Sequence, residues 1–131
     1  MRYTDADRLQ LIVRYGERLL ALKDELDLSA ESLNADYRLQ WLITTPLYNI
    51  GEQAYGLSET FVEEHADVPW QMIAAFRHRL VHDYEGTNWT LVASILDEEI
   101  APLVDEAKRI LDDWGISTGD DAGNSIPSQD E

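Results

Sequence analysis

Apolar residues recur along this chain at helical spacing, and no stretch alternates with the period of a strand. Leu9, Ile12, Val13, Gly16, Leu19, Leu20 and Leu26 follow the i, i+3, i+4, i+7 rule and predict a first helix over about residues 5–26. Ser29 is placed to cap a second, with Glu31 in its first turn. Leu33, Tyr37, Trp41, Thr44, Tyr48, Gly51 and Tyr55 carry its stripe to about residue 56. Pro46 falls inside that stripe, where it removes one hydrogen bond and crowds the carbonyl of Leu42, so a kink is expected. Ser58 can cap a short third helix ending near His65. Pro69 suits the first turn of a fourth, which runs to His82 or Tyr84 and is stopped by Gly86. Asn88 can cap the last helix, with Val92, Ile95, Glu99, Leu103, Ala107 and Ile110 on one side and Pro102 bending it. The fold class is therefore all-α: an antiparallel bundle of four to five helices.

The 131 residues suffice for one domain with a real core, assigned to residues 1–114. From Gly115 to Glu131 the chain is polar, glycine-rich and acidic, and this tail is expected to be disordered because it buries too little to offset its ordering entropy. The absence of cysteine excludes disulfides, thiolate metal sites and cysteine nucleophiles. No apolar run has the length of a signal peptide or a membrane span, so a cytoplasmic protein without membrane partners is expected. No strand precedes a glycine-rich phosphate loop.

Acids outnumber bases 26 to 10, for a net charge of −16. Residues 112–131 hold six of the acids and no base, so most of the surplus is spread over the folded part. Such acidity argues against broad, sequence-independent nucleic-acid binding, which needs many phosphate-neutralising cations. Any nucleic-acid chemistry must be local.

One segment is suited to it. Arg77-His78-Arg79-Leu80-Val81-His82-Asp83-Tyr84 concentrates two arginines, two histidines and a tyrosine in a chain with three histidines altogether. On a helix, Trp70, Ile73, Ala74, Arg77 and Val81 share one side, which sets Arg77 at the end of an apolar face. His82 lies about 140° around the helix from Arg77, so one copy of the helix does not converge them, whereas two copies crossing there can.

Three readings compete. In a purely structural one, Arg77 and Arg79 pair with Asp83, Glu85 or other acids, and His82 caps the helix end. In a metal reading, His78 and His82 have the i, i+4 spacing of a zinc pair, but Arg79 stands where a catalytic glutamate belongs and a cation beside a metal is unfavourable. In a phosphoryl-transfer reading, His82 moves a proton near neutral pH and Arg77 grips a phosphate through its fork of donors. The last uses most of the residue types present.

Arg77, four intervening residues, His82, Asp83 and Tyr84 resemble the R-x4-H-x-Y signature of HEPN-domain ribonucleases, specifically HepT-type toxins that are partnered by minimal nucleotidyltransferase antitoxins. Asn49-Ile50-Gly51-Glu52 and Val68-Pro69-Trp70 precede it in the order of that family, and the likeness covers about residues 5–111. It implies a helical bundle dimerising through the motif helix. It also implies a composite site with Arg77 and His82 of both protomers as catalytic residues, and RNA cleavage without metal or other cofactor. Positioning of substrate would fall to His78, Arg79 and Tyr84. Tyr84 matches the tyrosine whose adenylylation silences the toxin in a type VII-like system. His78 departs from the Asn or Asp common after the motif arginine.

The second function class is a non-catalytic helical module that binds a nucleotide or a nucleotidyltransferase. Among the remaining residues, Trp41 and Trp70 are expected in the core or a dimer interface. Glu52 is a candidate partner for Arg77 or Arg79, and His65 is expected in solvent.

Overall fold

Five of the seven described helices begin where a short polar side chain takes up an orphan amide proton. Thr4 Oγ1 accepts from the Asp7 amide at 3.0 Å while the Asp7 carboxylate accepts from the Thr4 amide at 2.9 Å, and this reciprocal cap starts α1 (Asp5–Leu26). Ser29 caps α2 (Ala30–Ala35), Asp36 caps α3 (Tyr37–Gly56) and Ser58 caps α4 (Glu59–Glu64). Then follow α5 (Trp70–His82), a 3₁₀ turn over Tyr84–Gly86, α6 (Trp89–Glu98) capped by Asn88, and α7 (Ile100–Asp113). The computed structural model describes residues 3–118; no strand occurs among them, and the fold is the expected all-α bundle. The tail from residue 119 onward lies outside the described residues. Just before it, the Gly115 and Ile116 amides bond back to the carbonyls of Asp112 and Leu111 and close α7.

Two of the five expected helices are each divided in two. The second breaks at Asp36, whose extended backbone lets its carboxylate accept from the Arg38 amide at 2.9 Å; a cap in mid-stripe restarts the helix. The last breaks at Glu99, so that Pro102 falls in the first turn of α7, where a missing N–H leaves nothing unpaired. Pro46, by contrast, is accommodated within the single helical span of α3. The fourth begins at Trp70 with Pro69 as its cap residue, and ends at His82.

The core is built on α1, which packs against both α3 and α7, and is filled by Leu9, Ile12, Leu19, Ile43, Ile50, Ala107, Ile110 and Leu111. α3 packs most extensively against α5 and α1. Its end lies at the start of α1, where Arg8 donates to Gln53 at 3.0 Å and Ser58 bonds Asp5. α3 also runs antiparallel to α5: Gly51 faces Arg77, and farther along α3 Ala54 and Tyr55 share a cavity with Trp70, Gln71 and Ala74. No described helix is long and apolar enough to cross a membrane.

Candidate active site

The closeness of α3 and α5 is set by Gly51. A Cβ there would overlap the Arg77 Cβ and stand 3.2 Å from the Ile73 carbonyl, so only glycine admits α5 at this separation. The Arg77 side chain consequently lies along α3 and does not extend into water. Its guanidinium sits between two tyrosines of α3, with the ring centroids of Tyr48 and Tyr55 at 5.6 and 5.4 Å, and pairs with Glu52 at 3.3 Å. Arg77 is 18% exposed and Glu52 43%. Arg77 Nε is sealed from solvent and has no acceptor, so the guanidinium keeps an unmet donor.

The rest of the cluster faces outward. His78, Arg79 and His82 are exposed, and the imidazoles of His78 and His82 lie against each other, 4.3 Å between centroids. Arg79 has no ion-pair partner among the described residues, and neither Asp83 nor Glu85 pairs with Arg77; Glu52, the candidate partner named from the sequence, does. No hydrogen bond or ring contact joins Arg77 to His82 within the chain. The i, i+4 histidines belong to no group of three or more potential metal ligands among the described residues.

Tyr84 is half-buried in the 3₁₀ turn after α5, its ring edge-on to Trp89 at 5.6 Å and its hydroxyl buried without a partner. Gly86 lies directly against the Asp83 carboxylate, and its amide bonds the Asp83 carbonyl at 3.1 Å within this turn.

Trp70 is fully buried, its indole N–H donating to the His65 carbonyl at 3.0 Å, whereas Trp41 is 62% exposed and belongs to the surface. His65 is not in solvent. It is half-buried and stacked on Phe61 at 4.2 Å, with Nδ1 at 3.0 Å from the Phe61 carbonyl. Its position after α4 suggested exposure, but α5 and the end of α7 close over it. Sequence reasoning did not single out Tyr48 and Tyr55 as the rings that flank Arg77. The available signal was the i, i+4, i+7 row Tyr48, Glu52, Tyr55, which puts one acid between two aromatic rings.

The pattern of the family described as "Ribonuclease HepT-like" matches residues 12–110, which include this whole arrangement. The chain belongs to the HepT-like ribonuclease family. Individual relatives share part of their length with it. A "Putative RNase" of Caldanaerobacter subterraneus is 39% identical over 62 residues, 47% of this chain and 55% of that protein. A "Putative RNase" of Methanocaldococcus jannaschii is 28% identical over 87 residues, 66% of this chain and 72% of the relative. A "Probable ribonuclease HepT" of Thermococcus cleftensis is 25% identical over 80 residues, 61% and 73% of the two chains. The chain thus spans little more than half the length of the first of these relatives. No solved structure matches it.

Proposed function

We propose that this HepT-like protein is a metal-independent endoribonuclease whose site is shared between two copies of the chain. The observation that carries the reading is the division within α5: an arginine fixed between tyrosine rings on one side, and an exposed imidazole pair at the helix end. One chain holds the two halves apart, and a two-fold partner brings the second half within reach. Met72, Ala75, Arg79 and His82 form an exposed row on α5, with Met72 at 72% exposure, which suits burial of the motif helix against a second copy.

In such a site the ribose 2′-oxygen attacks the adjacent phosphorus and the P–O5′ bond breaks, leaving a cyclic phosphate and a 5′-hydroxyl. His82 of one protomer takes the 2′-hydroxyl proton, and His82 of the other gives a proton to the departing 5′-oxygen. Arg77 meets the charge that develops on the phosphorane oxygens. Its fork is already oriented by Tyr48 and Tyr55, and phosphate has to compete with Glu52 for it. His78 and Arg79 position the RNA strand at the surface, and Tyr84 braces the end of the helix.

The same reading gives the protein a toxin's role, with a minimal nucleotidyltransferase as antitoxin. Transfer of AMP from ATP to the Tyr84 oxygen, with loss of pyrophosphate, would add a charged bulk beside His82 that repels RNA phosphate. The Tyr84 hydroxyl is buried, so this reaction requires the Tyr84–Gly86 turn to open first. A second reading, a non-catalytic module that binds a nucleotide or the nucleotidyltransferase, is favoured by the Glu52 carboxylate that already neutralises Arg77.

Cleavage of RNA by the purified protein decides between them. His82→Ala and Arg77→Ala are each expected to lower kcat/KM by about 10² to 10⁴. Equal rates for wild type and both variants would remove the enzyme reading and leave the binding module. Incubation with ATP and the nucleotidyltransferase, followed by mass spectrometry, tests the modification: neutralised toxin with unmodified Tyr84 overturns it.

A further inference from the structure

A cavity of about 340 Å³ opens between the end of α3, α4 and the first turns of α5. It lies next to Arg77 on two counts. Trp70 and Ala74 contribute to its lining, and Arg77 is the next residue on that side of α5, one turn beyond Ala74, so the wall of the cavity leads to the guanidinium. Tyr55 also lines it, and the centroid of the same ring is 5.4 Å from Arg77 Cζ. A nucleotide whose phosphate rests on Arg77 therefore has Tyr55 beside its sugar and the cavity in reach of its base.

The polar groups of the cavity select among bases. Glu59 and Glu63, one turn apart on α4, and Gln71 on α5 supply acceptors, and no cation lines the space. A phosphate is repelled there, while a neutral base rich in donors is welcomed. Guanine alone among the four RNA bases presents two adjacent donors on its Watson–Crick edge, N1–H and the N2 amino group, which match the two oxygens of one carboxylate. The 70% exposed Tyr55 ring offers flat surface for one face of the base, and the buried Trp70, fixed by its bond to the His65 carbonyl, closes the floor of the cavity.

We propose that this cavity is a guanine subsite, which makes Glu59, Glu63 and Tyr55 specificity-determining residues and directs cleavage to phosphates next to a guanosine. The cleavage part rests on the ribonuclease reading, whereas the binding part does not. Titration of the full-length protein with the four nucleosides separates them, because nucleosides carry no phosphate for Arg77. Guanosine is expected to bind about tenfold or more tightly than adenosine, cytidine or uridine. That margin should vanish in Glu59→Gln/Glu63→Gln, whose changes lie on the exposed side of α4 and leave its Ser58 cap in place. On random-sequence RNA, the ratio of cuts beside G to cuts beside other bases should fall in the same variant.

Equal binding of the four nucleosides, guanosine binding that survives the double substitution, or spermidine competing guanosine out as the preferred occupant each overturns the subsite. RNA cleavage without base preference and without guanosine binding removes the subsite and keeps the nuclease. Carboxylate-dependent guanosine binding without cleavage does the reverse.

Discussion

At the scale of single residues, the groups left unpaired in the folded chain carry the most information. Tyr84 buries a hydroxyl that makes no hydrogen bond, and its half-buried ring rests on Trp89. A buried hydroxyl without a partner costs about 1–3 kcal/mol. Tyr84→Phe removes the hydroxyl and keeps the ring, so the variant is expected to be as stable as the wild type or more stable by up to about that amount in a urea or thermal melt. A loss of more than about 1 kcal/mol would mean that the hydroxyl is satisfied in solution. The same variant cannot accept AMP and should stay active beside its nucleotidyltransferase. Arg77 illustrates the other kind of unmet group. Its Nε lacks an acceptor although Glu52 and two tyrosine rings surround the guanidinium, a geometry that holds the fork for a ligand as well as for Glu52.

At the scale of elements, one contact fixes where that fork points. Gly51 lets α5 lie against α3, and a methyl group there meets the Arg77 Cβ and the Ile73 carbonyl, neither of which moves without its helix. Gly51→Ala is therefore expected to destabilise the protein by about 1–3 kcal/mol, in spite of the better helix propensity of alanine. Arg77 should lose its place as well, so activity falls further than stability accounts for; an Ala variant as stable and active as wild type would show that the two helices separate freely. In α7, both nitrogens on one side of the Arg109 fork bond the Glu106 carboxylate, with Nε at 3.1 Å, and this hydrogen bonding holds the carboxyl below the usual carboxylate range. A carboxyl more acidic when folded than when unfolded contributes its full share above the unfolded value, and that share is lost as pH falls through the folded one. The stability difference between wild type and Glu106→Gln should thus be present at neutral pH and close on acidification; a constant difference would place the effect in packing. Element boundaries also mark what was legible in the chain. The first helix and the caps at Ser29, Ser58 and Asn88 were readable, because a capping oxygen before an apolar stripe is local information. The break at Asp36 was not, because the stripe runs across it and the decision rests on a side chain bonding a backbone amide two residues on. The motif residues were legible as a group, but the enclosure of Arg77 by Tyr48, Glu52 and Tyr55 depends on which faces of α3 and α5 meet, and periodicity alone leaves that open.

For the whole molecule, the governing quantity is the charge of −16, carried by a protein proposed both to pair with itself and to hold RNA. These two events respond to salt in opposite directions. Two acidic copies repel each other, so ions that screen them favour the dimer, while RNA binding releases counterions and weakens as salt rises. In the proposed composite cleft, Arg77 and Arg79 of the two copies would supply four arginines. With a contribution of about −0.7 per neutralised phosphate on a single strand, four arginines allow a slope of about −3 for log kcat/KM against log salt. That value is expected when the protein is concentrated enough to remain dimeric throughout. In dilute protein the assembly term enters first, and activity should rise with salt before it falls, with the maximum moving to lower salt as protein concentration increases. Measuring initial rates over a salt series at two protein concentrations separates the terms. A curve that falls monotonically at both concentrations with the same slope, from a protein that sediments as a single chain at the lower one, would mean that one copy suffices and would overturn the shared site.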